Sequence, residues 1–196
     1  MLAWHGQLLQ DAWVASHLKY KRSGFFVDIG AHDGVEFSNT YAFERNLNWS
    51  GICIEPVPEI FDKLVVNREC KCVKSLVHER DGVRFPFEVS GINTMLSGIN
   101  EQCKDPIYIE SKSLMSILSE CNAPKVIDYI SLDTEGSEPD ILRGFNPNEY
   151  HVQCWTIEHN GDGERASFIA QWLSDNGYLF RFVNWDIFAV KDWANP

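Results

Sequence analysis

The sequence predicts an α/β fold: a mostly parallel, doubly wound sheet with helices on both faces, finished by an antiparallel hairpin. Three observations carry that expectation. Short apolar runs without alternation, such as Phe25-Phe26-Val27-Asp28-Ile29, mark strands covered on both faces. Stretches long enough for one crossover helix separate those runs. The last stretch instead holds two strand-like runs joined by Asn184 and Trp185 alone, the spacing of a tight hairpin.

A first helix is expected within residues 7–22, where Leu8, Leu9, Ala12, Trp13, Ala15 and Leu18 recur at near-helical spacing and Gly24 supplies a stop. The strand at Phe25 to Ile29 follows, then a crossover helix within residues 34–50, then a strand over 51–55 closed by Pro56, making a βαβ unit. A helix over 58–68 leads to a third strand over 71–77. Residues 81–106 break the rhythm. They hold one short strand over 83–87 and a Gly/Asn/Ser-rich stretch through Gly91, Asn93, Ser97 and Gly98, read as an insertion or lid. The alternation resumes with helix 113–121, strand 126–133, helix 138–145, strand 152–158 and helix 164–175, capped by Gly177. Strands over 178–183 and 186–190 complete the hairpin. Residues 1–196 read as a single domain.

A formal charge of -11, with no basic stripe, excludes a polyphosphate backbone as partner, so no nucleic acid is expected. Lys19, Lys21 and Arg22 form only a solvated helix end. The six cysteines have neither finger nor framework spacing and read as reduced thiols. The first apolar stretch is interrupted by His5, Gln7, Gln10 and Asp11, and no run is long enough to span a bilayer. A cytoplasmic protein with no membrane partner is the expectation; oligomeric state is left open.

In open α/β sheets ligands bind at the carboxyl ends of the strands, where the strand order reverses. Here those ends are acidic: Asp28, Glu55, Asp133 and Glu158 close the first, second, fourth and fifth strands. A dinucleotide would set its pyrophosphate against Asp28, just before Gly30. S-adenosyl-L-methionine brings no phosphate. It offers a sulfonium, an amino group, and ribose hydroxyls from which a carboxylate accepts in bidentate fashion. Glu55, 25 positions after Gly30, suits the ribose, while Gly30 and Gly34 permit close backbone approach and tight helix packing. Asp28 is expected to orient the methionine amino end. Asn39, Thr40, Gln7, Gln10 and Asp11 either fold over the cofactor or are solvated helix positions.

The same residues resemble a known family, the FkbM-type methyltransferases. The likeness runs through Gln7, Gln10 and Asp11; Phe25 to Gly34; Ser38-Asn39-Thr40; Trp49 to Pro56; Ile127 to Glu138; Ile157-Glu158-His159-Asn160; and Asp186-Ile187-Phe188. The departures are His32, where the family usually has Asn, Trp185 inserted before Asp186, and residues 81–106. The resemblance implies a Rossmann-like class I methyltransferase sheet and S-adenosyl-L-methionine as cofactor. It also implies methyl transfer to a hydroxyl of a sugar, glycan or natural-product acceptor. Joined to the residue-level reading, it gives a cofactor set of Asp28, Gly30, Ala31, Gly34, Asn39, Thr40, Glu55, Pro56 and Asp133.

Methyl transfer is an in-line displacement in which alignment supplies much of the acceleration. A hydroxyl nucleophile must also lose its proton, to a base or with the help of a metal. His159 follows the fifth strand and is the first candidate base, since imidazole titrates near neutrality; a histidine that only bonds its own loop is the alternative. Asp133 and Glu135, two apart and followed by Gly136, are the other catalytic candidates, whereas Glu138 beside Ser137 reads as a helix start. Asp133, Glu135, Glu158 and His159 could together hold a hard divalent cation. The same carboxylates could instead bind sugar hydroxyls, and the sequence leaves both open. An enzyme of this fold acting on nitrogen or on a protein side chain is the nearest competitor; a non-catalytic binding module would not need these catalytic candidates.

Overall fold

The computed structural model describes residues 3–90 and 97–192. The first half of the chain folds as α1 (Gln10–His17), β1 (Phe25–Ile29), α2 (Tyr41–Leu47), β2 (Ser50–Ile54), α3 (Pro58–Asn67), β3 (Lys71–Val73), β4 (Leu76–His78) and β5 (Arg84–Glu88). The second half adds β6 (Gly98–Ile99), β7 (Ile107–Ser113), α4 (Leu114–Glu120), β8 (Val126–Leu132), α5 (Glu138–Gly144), β9 (His151–Glu158), α6 (Gly163–Asp175), β10 (Tyr178–Val183) and β11 (Asp186–Lys191).

Seven strands form the main sheet in the order β3-β2-β1-β8-β9-β11-β10. All neighbouring pairs are parallel except the two made by β11, which runs antiparallel to β9 and to β10. This is the expected α/β architecture with its C-terminal hairpin. Alternation along each strand divides the core. Val27, Ile29, Ile52, Ile54, Ile130 and Leu132 pack with Leu114, Leu118, Leu142, Ile169 and Leu173 of α4, α5 and α6. Phe26, Cys53, Tyr129 and Cys154 pack on the other face with Val14, Phe43 and Leu64 of α1, α2 and α3. Helices therefore cover both faces. Among the described residues no helix is long and apolar enough to cross a membrane.

Four expectations change in detail. The leading helix is short, bounded by left-handed residues at Leu9 (φ 59°) and at Lys19 and Tyr20 (φ 53° and 55°). The first crossover helix fills only Tyr41–Leu47, so residues 30–40 form a long loop over the strand ends. The third strand breaks after Val73, and Leu76–His78 pairs with β7 instead. Residues 81–106 contribute the expected short strand, as β5, and also β6 to a second, four-stranded sheet of order β4-β7-β5-β6 that the sequence did not announce. The part of the lid reading that rests on Gly91 and Asn93 lies outside the described residues.

Candidate active site

The strand order reverses between β2 and β8 on either side of β1, which opens a crevice at the carboxyl ends. A cavity of about 270 Å³ lies there. Register explains why its walls are polar. Asp28 pairs with Ser131, Ser131 with Thr156, and Glu158 with Asp186, so period-two alternation sets these residues on the face covered by α1 and α2. Asp28, Gly30, Ala31, Asn39, Glu55, Pro56 and Asp133 of the expected cofactor set all line the cavity, with Glu135 and Glu158.

Gly30 joins the two central loops. Its φ is +85°, and a Cβ there would stand 1.7 Å from the Asp133 carbonyl oxygen, so no other residue fits. The Gly30 and Ala31 N–H groups both donate to the Ile54 carbonyl at 3.0 Å, bringing the end of β2 beside this loop. Glu55 then receives the His32 N–H at 3.1 Å on Oε2 and the Val57 N–H at 2.9 Å on Oε1. Burial pushes its carboxyl up to about 7 even against those two donors. His32 holds a left-handed φ of 48°, a conformation enriched in Asn and His, which is why this substitution leaves the loop intact.

Two of the expected cofactor residues stand behind the cavity wall. Thr40 is fully buried and donates through Oγ1 to Asp28 Oδ2 at 2.6 Å; it positions Asp28 instead of lining the cavity. A Cβ on Gly34 would meet Leu64 and Arg68 at 2.6 Å, so this glycine serves the tight packing of the loop on α3. Arg68 organises both. Its buried guanidinium donates to the Gly34 carbonyl at 3.1 Å, Ser38 Oγ at 3.3 Å and Thr40 Oγ1 at 3.1 Å, and pairs with Glu44 at 3.2 Å. Asp28 is nonetheless held above the usual carboxylate range by burial, with Arg68 and Thr40 acting against it. Gln7 and Gln10 line the cavity, whereas Asp11 turns to the N–H groups of His5 and Ala12.

Asp133, Glu135 and Glu158 present carboxylate oxygens within 4.8 Å of one another. Asp133 is open to the cavity but closely ringed by protein, and burial together with Glu158 holds it well above its ordinary range. Burial likewise raises Glu158 to about 7. Glu135, at φ 56°, accepts from Asn160 Nδ2 at 2.6 Å. Glu138 is structural as expected: its Oε1 gathers the Thr134 N–H, Thr134 hydroxyl and Gly136 N–H, and its Oε2 faces Arg165 at 3.4 Å.

His159 is the main departure. It is buried, its Nδ1 accepts from the Gly161 N–H at 3.1 Å, and its ring meets the edge of Phe182. It neither lines the cavity nor joins the carboxylate group that could hold a metal, whereas Glu158 and Asn160 on either side of it both line the cavity. Cavity-lining Glu36, Phe37, Ser75, Leu76 and Val77 carried no signal in the sequence, whereas Phe87 and Ser97 fall in the expected insertion or lid and His32 and Trp185 stood out as departures from the family pattern.

The comparisons agree with this geometry. A family model described as the methyltransferase FkbM domain matches residues 28–180. A comparison with curated protein sequences finds no match. Among solved structures, a precorrin-6y C5,15-methyltransferase from Geobacter metallireducens is similar at 12% identity, with 96% of this chain and 92% of that chain covered and a TM-score of 0.52. The N-terminal domain of human METTL16 in complex with SAH is similar at 13% identity, over 93% of this chain and 68% of that one, with a TM-score of 0.52. These likenesses bear on the fold, and the family match, which spans most of the chain, bears on the chemistry. The chain belongs to the methyltransferase FkbM domain family and is an S-adenosylmethionine-dependent methyltransferase.

Proposed function

We propose that this enzyme is an O-methyltransferase whose acceptor is a hydroxyl of a sugar, glycan or natural product. The observation that carries the reading is the Asp133 and Glu158 pair, which shares one cavity with Gly30 and Glu55. Bound S-adenosylmethionine supplies an electrophilic methyl group on its sulfonium. Each Glu55 oxygen accepts one backbone N–H and keeps a lone pair for a ribose hydroxyl. The ionised member of the Asp133 and Glu158 pair takes the proton that the acceptor hydroxyl loses, a role for which a value near neutrality is suited.

The same three carboxylates fit a hard divalent cation. Their oxygens converge, and Glu158 Oε2 meets no hydrogen-bond donor among the described residues. Held by Asp133, Glu135 and Glu158, such an ion would make a coordinated hydroxyl more acidic. Labelled methyl transfer to hydroxylated acceptors, measured after EDTA and again after Mg²⁺, tests both limbs. Product carrying an O-methyl group is expected; methyl recovered only on nitrogen or on protein contradicts the proposal. Indifference to EDTA and Mg²⁺ would leave proton removal to the carboxylates alone.

A further inference from the structure

We infer that the acceptor is a phosphate-free ring compound that stacks on Trp185, and that the site rejects phosphorylated or nucleotide-linked hydroxyls. This deepens the O-transfer reading and rests on it. Six carboxylates line the cavity, at Asp28, Glu36, Glu55, Asp133, Glu135 and Glu158, and no Lys or Arg lines it among the described residues. Residues 1–2, 91–96 and 193–196, outside the described part, contain no Lys or Arg in their sequence. Arg68 and Arg165 lie behind these loops and are engaged with Glu44 and Glu138. Unless a metal ion is bound, a phosphate entering this cavity would meet like charge, with no Lys or Arg lining it among the described residues to pair it.

What the cavity offers instead is aromatic surface and hydrogen-bond acceptors. Trp185 lines it while remaining 44% exposed, and its carbonyl accepts the N–H groups of His159 at 2.8 Å and Asn160 at 3.3 Å. The hairpin turn is thereby fixed against the loop that follows Glu158. Phe37 also lines the cavity, 46% exposed, at a left-handed φ of 54°, a strained conformation for a bulky residue that displays its ring. Glu158 is nine-tenths buried, and its Oε2 lacks any donor among the described residues. A ring with an apolar C–H face and several hydroxyls satisfies both features: the face lies on the indole and the hydroxyls donate to the carboxylates.

The test uses the enzyme saturated with S-adenosylhomocysteine and four probes at constant ionic strength: a methyl glucoside, the matching methyl glucosaminide, glucose 6-phosphate and UDP-glucose. Saturation-transfer NMR with EDTA present reads binding, and labelled transfer is measured in parallel with S-adenosylmethionine as donor in place of S-adenosylhomocysteine. The two phosphate-free glycosides are expected to bind at least about tenfold more tightly than the two phosphorylated probes. Trp185→Ala is expected to weaken glycoside binding about three- to tenfold with unchanged S-adenosylhomocysteine affinity by calorimetry, and Trp185→Phe to restore most of it. Tighter binding of a phosphorylated probe, binding of none, or a Trp185→Ala variant with unchanged glycoside affinity overturns the inference. Glycoside binding with methyl recovered only on the glucosaminide nitrogen upholds the phosphate-free ring acceptor and overturns the O-transfer reading.

Discussion

Gly30 has a φ of +85° and a hydrogen where any side chain would strike the Asp133 carbonyl at 1.7 Å. Gly30→Ala must therefore part the loops after β1 and β8. A stability loss of about 2–4 kcal/mol by urea unfolding is expected, from combined backbone strain and overpacking, together with loss of S-adenosylmethionine binding in calorimetry. Glu158 and His159 give a sharper contrast. If the proton acceptor is the carboxylate pair, Glu158→Gln lowers turnover roughly 10²–10⁴-fold and removes the limb of the pH–rate profile near 7, while His159→Ala stays within a few-fold of wild type. The reverse ranking would return the base to His159. These roles were only half legible. Asp133 and Glu158 were legible from sequence as acidic strand ends, whereas His159, next to Glu158 in the chain, faces away from the cavity that Glu158 and Asn160 line.

Arg68 shows what an element hides. At the end of α3 its side chain is fully buried and ties that helix to Gly34, Ser38, Thr40 and Glu44 in the long loop and in α2. Removing it leaves Glu44 and Asp28 buried without their cation. Arg68→Met is expected to cost about 3–5 kcal/mol and to weaken cofactor binding although Arg68 does not line the cavity; a loss under 1 kcal/mol with full affinity would show that the loop is held by other means. The non-helical path of residues 34–40 hid from the sequence for the same reason: this guanidinium holds Gly34, Ser38 and Thr40, and no local period marks it. β7 hid because its exposed Ile107 and Tyr108 interrupt the pattern of a strand with one covered face. The strands of the main sheet, each buried on both faces by the helices, were legible as continuous apolar runs.

Across the whole molecule, the active site stores acidity at a cost to stability. Glu55 is raised from 4.5 to about 7, Glu158 from 4.5 to about 7 and Asp186 from 3.8 to about 6, each mainly by burial. The folded protein thus holds these protons more tightly than the unfolded chain. Their contribution to stability is complete below about pH 4 and is lost as pH climbs to about 7. For Glu55 alone the difference corresponds to ~3 kcal/mol. The Tm of the free enzyme is expected to fall from pH 5 to pH 8, and the rise in Tm on adding S-adenosylhomocysteine to be larger at pH 8 than at pH 6. A Tm that rises steadily across that window would contradict the account.

Glu55 and the Gly30 loop are expected to bind a sulfonium nucleoside through an ionised carboxylate. Calorimetric titration of S-adenosylmethionine and of NAD into wild type and Glu55→Gln, at pH 6 and pH 8, tests it most directly. Wild type should bind S-adenosylmethionine in the micromolar range, several-fold more tightly at pH 8, because Glu55 with a value of about 7 must lose its proton to accept both ribose hydroxyls. The Glu55→Gln variant should bind at least about tenfold more weakly, with no pH dependence from this group. Micromolar binding of NAD without binding of S-adenosylmethionine, or an unaltered titration in the variant, would contradict it.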